Sequence, residues 1–362
     1  MERPPYPRPV PDDHDDDDHD HDHDHDGDDA TAAPTGTARR AADLPAHVPV
    51  ATLVRDGLVE SVHHGSMAVV DADGTDLVVV GDVTSPVFPR SALKPLQAVA
   101  MVRCGLDVPA DLLALATASH SGEPEHLARV RRLLAGAGVS TGALRTPPDL
   151  PFGEAERAAW TAAGRGPEPL AHNCSGKHAA MIATCRAAGW DTSAYLDPDH
   201  QLQRATVEVV EEFTGEPVTH RGTDGCGAPL FASSLRGLAR AVARLGGAGP
   251  STPEGRVADA VRTHPGLVGG RGRDVTDLLR AVPGLVAKDG AEAVQVAGTA
   301  RGALALKVAD GGQRARMPVT ALGLTALGVD PALLAPFATV PVLGGGRVVG
   351  ALSAVPLPPR AS

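Results

Sequence analysis

The chain has 362 residues, of which 43 % are hydrophobic and only 2 % aromatic. That is enough for one large domain or two modest ones, with a core built from Ala, Val and Leu rather than rings. The net charge of −11 belongs to one end: residues 1–29 hold thirteen acids against two arginines, so the remainder is neutral overall. No basic surface advertises nucleic-acid binding, no run of 18 apolar residues suggests a membrane span, and no basic-then-apolar leader opens the sequence, so a cytoplasmic protein is expected.

"DDHDDDDHDHDHDHDGDD" (Asp12–Asp29) has nothing apolar to bury and a block of like charge. It reads as a disordered, solubilising tail whose five histidines could bind divalent metal loosely. Residues 1–46 are expected to be tail and linker, and 47–358 the folded domain. "HVPVATLVRDG" and "GSMAVVDADGTDLVVVGD" read as strands with Asp-Gly-type turns. "SALKPLQAVAMVRCG" has helical spacing, with Ser91 at its start, since Pro95 is tolerated only in a first turn. "PADLLALATASHSGEPEHLARVRRLLAGAG" reads as helix, break, helix, the break holding Ser119 and His120. Further helices are expected in "NCSGKHAAMIATCRAAGW" and "DPDHQLQRATVEVVEEFTG". The Gly-rich loop "TDGCGAP" follows, then a mostly helical stretch to about Arg280. "GLVAKDG", "AVQVAGTARGALALKVADG" and "VPVLGGGRVVGALSAV" read as strands, with "PVTALGLTALG" a helix between them. Strands at both ends with helices between imply an α/β (α+β) domain whose sheet joins the two ends of the chain.

Of 33 basic residues only four are lysine: Lys94, Lys177, Lys288 and Lys307. Where positive charge alone is needed the sequence writes arginine, so the lysines point to something arginine cannot do. Lysine loses its proton when buried and can act as a base or ligand. Ser91 and Lys94 are three apart, on one helix face, where a neutral amine can activate a hydroxyl. Taken alone, the pair equally suits a helix cap and a solvated first turn. Lys288, in a Lys-x-Gly at a strand end, could be the second cation that keeps Lys94 neutral, and Ser119 offers a second hydroxyl. A Ser-x-x-Lys with a later Lys-x-Gly is the layout of serine β-lactamases and penicillin-binding proteins, although their Ser-Asp-Asn is missing. Lys307 reads as a surface strand residue.

The cysteines divide similarly. Cys104 and Cys185 fall in apolar helical spacing and read as core. Cys174 and Cys226 lie in Gly-rich loops, where two thiolates and a nitrogen would make a three-ligand site with an open position. Generic metal logic selects His178 as that nitrogen. Asp224, two before Cys226, suits a substrate amino group, and Arg90 and His120, beside the two serines, are further candidate substrate contacts.

"RSALKP", "ASHSGEPEH", "HNCSGKHAAM", "GTDGCGAP", "HPGLVGGRGR" and "LVAKDGAEAV", in this order, resemble the asparaginase II family, the rhizobial-type or class 3 L-asparaginases. The resemblance runs from about His47 to Val355. It implies a fold similar to serine β-lactamases and bacterial glutaminases, a homodimer, and hydrolysis of L-asparagine to L-aspartate and ammonia with no organic cofactor. It implies two Ser-Lys tandems, Ser91 with Lys94 and Ser119 with Lys288, and a zinc site of Cys174, Lys177 and Cys226, replacing His178 by Lys177. Ser91 is preferred as nucleophile because its base lies in the same helix turn; Ser119 is the alternative. Two other readings stay open: a β-lactamase or peptidase of the related fold, and a metal-binding protein that uses the Asp/His tail.

Overall fold

A 14-residue strand organises the molecule. In the computed structural model, which describes residues 44–357, β1 (Val48–Arg55) turns at Asp56-Gly57 into β2 (Leu58–Asp71). Both turn residues have positive φ, 46° and 85°, the two-residue hairpin geometry that Asp-Gly favours. The first half of β2 pairs with β1; the second half lies between β3 (Asp76–Val80) and β8 (Gly302–Val308). With β6 (Val286–Gly290), β7 (Val294–Thr299), β9 (Thr339–Gly344) and β10 (Arg347–Ala354), an antiparallel sheet forms in the order β6-β7-β8-β2-β1-β10-β9, with β3 also on β2. The sheet therefore joins the two ends of the chain, as expected from the sequence. The Asp/His tail and nearly all of the linker lie outside the described residues.

Helices cover both sheet faces. Gly298 and Ala303 are register partners, and a Cβ on Gly298 would stand 2.9 Å from Val242 Cγ1, so this face meets α7 (Leu235–Gly247). The next residue, Leu304, points to the opposite face, where its Cδ2 would lie 2.7 Å from a Cβ on Gly323 of α11 (Arg316–Ala326). That is why β7 and β8 are buried almost throughout. Helix α7 starts at Ser234, whose Oγ accepts from Gly237 N at 2.9 Å, a cap worth about 1 kcal/mol. It buries Leu235, Leu238, Val242 and Leu245, each contributing roughly 1.5–3 kcal/mol.

Between β3 and β6 lie α1 (Lys94–Arg103), α2 (Ala110–Ala116), α3 (Pro124–Gly136), α4 (Glu154–Ala162), α5 (Ser175–Ala188), α6 (Gln201–Thr214), α7, α8 (Pro253–Thr263), α9 (Pro265–Val268) and α10 (Asp274–Ala281). Helix α5 is central: it packs on α1, α2, α3 and α6, and nearly every residue from Ser175 to Cys185 is buried. Such a helix is enclosed by the fold on all sides, its buried Lys177 and His178 included. The "TDGCGAP" loop is held between two three-residue strands, β4 (Arg221–Thr223) and β5 (Pro229–Phe231). No described helix is long and apolar enough to cross a membrane.

The structure adds elements that the sequence pattern does not announce. The first half of β2 alternates poorly because much of it is exposed. Helix α4 buries only Trp160, and α12 (Pro331–Ala338) carries an internal proline.

Candidate active site

Strand β6 delivers Lys288 and Asp289 to the sheet edge, and Gly290 ends it against the turn that carries Ser91. A Cβ on Gly290 would stand 2.5 Å from Pro89 O, so only glycine permits this approach. Ser91 sits in a single 3₁₀ turn, Arg90–Leu93, just ahead of α1. Arg90 has φ 54°, a left-handed conformation that costs a non-glycine residue energy and is held by its surroundings. Here the restraint is an ion pair, Arg90 Nε to Asp224 Oδ1 at 2.7 Å.

Lys94 opens α1 and is 1 % exposed. Its Nζ lies 3.0 Å from Ser119 Oγ and 3.2 Å from Cys174 Sγ, and it also meets Ala118 O. All three partners come from residues far along the chain. The structure thus hydrogen-bonds Lys94 to Ser119, where the resemblance implies a tandem with Ser91. Lys288 is likewise not hydrogen-bonded to Ser119; it donates to Asp289 O at 2.8 Å and to Asp289 Oδ1. Ser91 and Ser119 nevertheless line one cleft of about 430 Å³, together with Asn173, Arg273, Asp289 and Ala291. Larger hollows elsewhere, of about 520 and 680 Å³, hold neither serine nor a buried lysine.

The charges of the cleft are coupled. Burial lowers the Lys288 pKa to about 8; Asp289 opposes this, and Lys94 and Arg273 reinforce it. Asp289 is itself held far below the ordinary carboxylate range: burial works against its charge, but Lys288, Arg316 and Arg273 outweigh it.

Beside the cleft, Cys174 caps α5, Lys177 lies in its first turn, and Cys226 comes from the β4–β5 loop. All three are at most 4 % exposed. Lys177 Nζ donates to Cys226 Sγ at 3.2 Å. A hydrogen bond from Cys226 holds the Cys174 thiol well below its usual pKa; burial opposes that, and Lys94 and Lys177 assist. For Lys177, burial is outweighed by Cys226, Cys174 and Asp224, which raise its pKa. His178 Nδ1 pairs with Tyr195 Oη at 2.8 Å, while its Nε2, adjacent to Cys226, is buried without a partner of normal hydrogen-bond geometry. Among the described residues no three His, Cys, Asp or Glu side chains are placed to hold a metal, so a centre here needs Lys177. Two thiols, an amine and an orphaned imidazole nitrogen form a donor set that fits a borderline-soft cation such as zinc.

His120, expected as a substrate contact, is fully buried, and its Nε2 meets Ser175 Oγ at 2.9 Å; because Ser175 Oγ donates to Leu170 O at 2.8 Å, the imidazole is the donor and braces α5. Asp224 is engaged by Arg90 and its own Gly225 N. Sequence spacing alone assigns no role to Asp289, Arg273, Asn173 or Phe152; the two arginines in the Gly-rich "GGRGR" are the available signal.

A model of the family described as L-asparaginase II matches residues 51–354. No curated protein matches the chain. Among solved structures, the native form of a protein called Mglu is similar at 14 % identity and a TM-score of 0.32, over 73 % of this chain and 62 % of that one. A Bacillus glutaminase is similar at 14 % identity and a TM-score of 0.30, over 73 % of this chain and 88 % of that one. The chain thus spans somewhat under two thirds of Mglu, and neither likeness is close enough to bear on the chemistry. The family match, by contrast, runs from within the first strand of the sheet to the end of its last, and the chain belongs to the L-asparaginase II family.

Proposed function

We propose that the protein is an amidohydrolase that converts L-asparagine to L-aspartate and ammonia by way of an acyl-enzyme. The observation that carries this reading is the 3.0 Å contact between Lys94 Nζ and Ser119 Oγ in a cleft where Ser91 presents a second hydroxyl. In this reading Lys94 acts as a neutral amine: it takes the Ser119 proton across this contact as Ser119 Oγ takes the proton of Ser91, and Ser91 attacks the side-chain amide carbon. The same route returns a proton to the departing ammonia. The backbone N–H groups of Ser91 and Ala291, both residues of the cleft, would be the donors for the developing oxyanion. Water then cleaves the ester.

Cys174, Cys226 and Lys177 would hold zinc, which supplies Lewis-acid polarisation when bound. The active unit in this reading is a homodimer, to be checked by light scattering on the purified protein.

A direct attack by Ser119 is the second reading, favoured by its contact with the base. Ammonia release from L-asparagine, L-glutamine and their D-forms tests the substrate, with a chromogenic β-lactam as the competing one. Ser91→Ala and Ser119→Ala variants, with mass spectrometry of the trapped acyl-enzyme, test the nucleophile. Full activity in Ser91→Ala would sink the first assignment.

A further inference from the structure

Residues 264–273, the "HPGLVGGRGR" segment, grip the loop that carries Ser119. Ser119 N donates to Val268 O at 3.0 Å and Ser121 N to Gly269 O at 2.8 Å. Ser121 Oγ donates to the same Gly269 oxygen at 3.0 Å, and Arg271 N donates to Glu123 Oε1 at 2.6 Å. Gly270, at φ 127°, runs so close that a Cβ would stand 2.4 Å from Ser121 Oγ. Arg273 ends the segment and reaches both halves of the cleft. Its Nη1 donates to Ser119 O at 3.3 Å and its Nη2 to Asp289 Oδ2 at 2.9 Å. Its guanidinium lies 4.6 Å from the Phe152 ring centre, and the side chain is 19 % exposed.

One side chain therefore ties the Ser119 loop to the Lys-Asp-Gly strand. It also competes for a carboxylate, since Asp289 gives Oδ1 to Lys288 and Oδ2 to Arg273. We propose that Arg273 is a positioning residue of this site, acting on Lys288 through Asp289 and on Ser119 through its carbonyl, and not a substrate ligand. The proposal rests on the amidohydrolase reading of the cleft for its kinetic consequence, but not for the coupling itself.

The physical reason is competition for charge. A buried carboxylate shared by two cations favours each ammonium less than one it serves alone. The charges facing Lys288 are Asp289 on its own strand, Lys94 from α1 and Arg273 ahead of α10; Arg316 from α11 also faces Asp289. Removing Arg273 deletes one cation that disfavours the Lys288 ammonium and leaves Asp289 more fully to Lys288. Both changes make Lys288 hold its proton to higher pH. Arginine suits the place because its fork can meet two acceptors in fixed geometry.

The test uses the full chain with Arg273→Gln and Arg273→Lys. Only four lysines occur, so ¹³Cε-lysine labelling gives four side-chain signals, and Lys288→Arg identifies one of them. In Arg273→Gln the Lys288 midpoint is expected to rise by about one pH unit or more. The acid limb of kcat moves with it, kcat near pH 7 falls about tenfold or more, and KM stays within about threefold. Arg273→Lys keeps the charge and returns the midpoint most of the way, and it serves as the measurement if the Gln variant does not fold. An unmoved midpoint with kcat lowered equally at every pH would overturn the proposal. So would a KM raised more than about tenfold at unchanged kcat, which would make Arg273 a substrate ligand. If the parent releases no ammonia from any amide while the midpoint still rises, the amidohydrolase reading fails and the coupling stands.

Discussion

Gly290 passes beneath Pro89 so closely that a single added carbon would stand 2.5 Å from the proline carbonyl oxygen. Gly290 has φ −122°, ordinary for any residue, so Gly290→Ala is opposed by collision and not by backbone preference. The collision is with backbone, which can yield only by moving the Ser91 turn. We expect Gly290→Ala to lose about 1–3 kcal/mol of stability and at least about tenfold in kcat, measured by denaturant unfolding and ammonia release. Parent-like activity would show that the turn and strand need not meet.

Lys94→Arg keeps the positive charge but not the chemistry. A guanidinium does not give up its proton in a protein and is too wide for a site filled by Ala118 O, Ser119 Oγ and Cys174 Sγ. Amide hydrolysis is expected to fall about a thousandfold, with the fold retained by circular dichroism. Retained turnover would remove Lys94 as the base.

Lys288 gives stability a dependence on alkaline pH. Its folded pKa, about 8, lies below the ordinary 10.5, so between those values the unfolded chain binds more protons than the folded one. Stability from this group therefore rises with pH across that window, by at most about 3 kcal/mol. Unfolding free energies of the parent and Lys288→Met between pH 7 and 10.5 should show a shallower rise in the variant. Lys307, whose pKa burial also lowers, leaves a residual slope in both. Parallel slopes would contradict a Lys288 that sheds its proton in the folded state at a lower pH than in the unfolded chain.

Zinc retention should follow the two loop cysteines and not the helical one. With residues 1–29 deleted, so that the tail histidines cannot contribute, Cys174→Ser and Cys226→Ser are expected to lose tightly held zinc while Cys104→Ser keeps it, by elemental analysis after dialysis. Equal zinc in all three variants would move the centre elsewhere.

Much of this site is legible in the sequence through what it withholds. Three of the four lysines, Lys94, Lys177 and Lys288, are at most 2 % exposed, as the preference for arginine elsewhere suggests. The hairpin at Asp56-Gly57 and the join between the two ends of the sheet follow from turn chemistry and strand spacing. Pairing within the site does not follow. Spacing brings Lys94 near Ser91 along one helix face, but an ammonium goes where acceptors converge, and here they come from positions 24, 25 and 80 residues away. Arg273 eluded the sequence for the same reason: a single arginine in a Gly-rich segment shows nothing of the strand it will bridge.

The scarcity of lysine reaches beyond the cleft. Reagents that acylate amines meet three ammoniums sealed in the interior and a fourth, Lys307, that is half-buried and donates to Glu292 O and Val308 O at 2.7 Å. Working lysines shielded by their own packing from ordinary amine reagents are a practical consequence of writing arginine almost everywhere else.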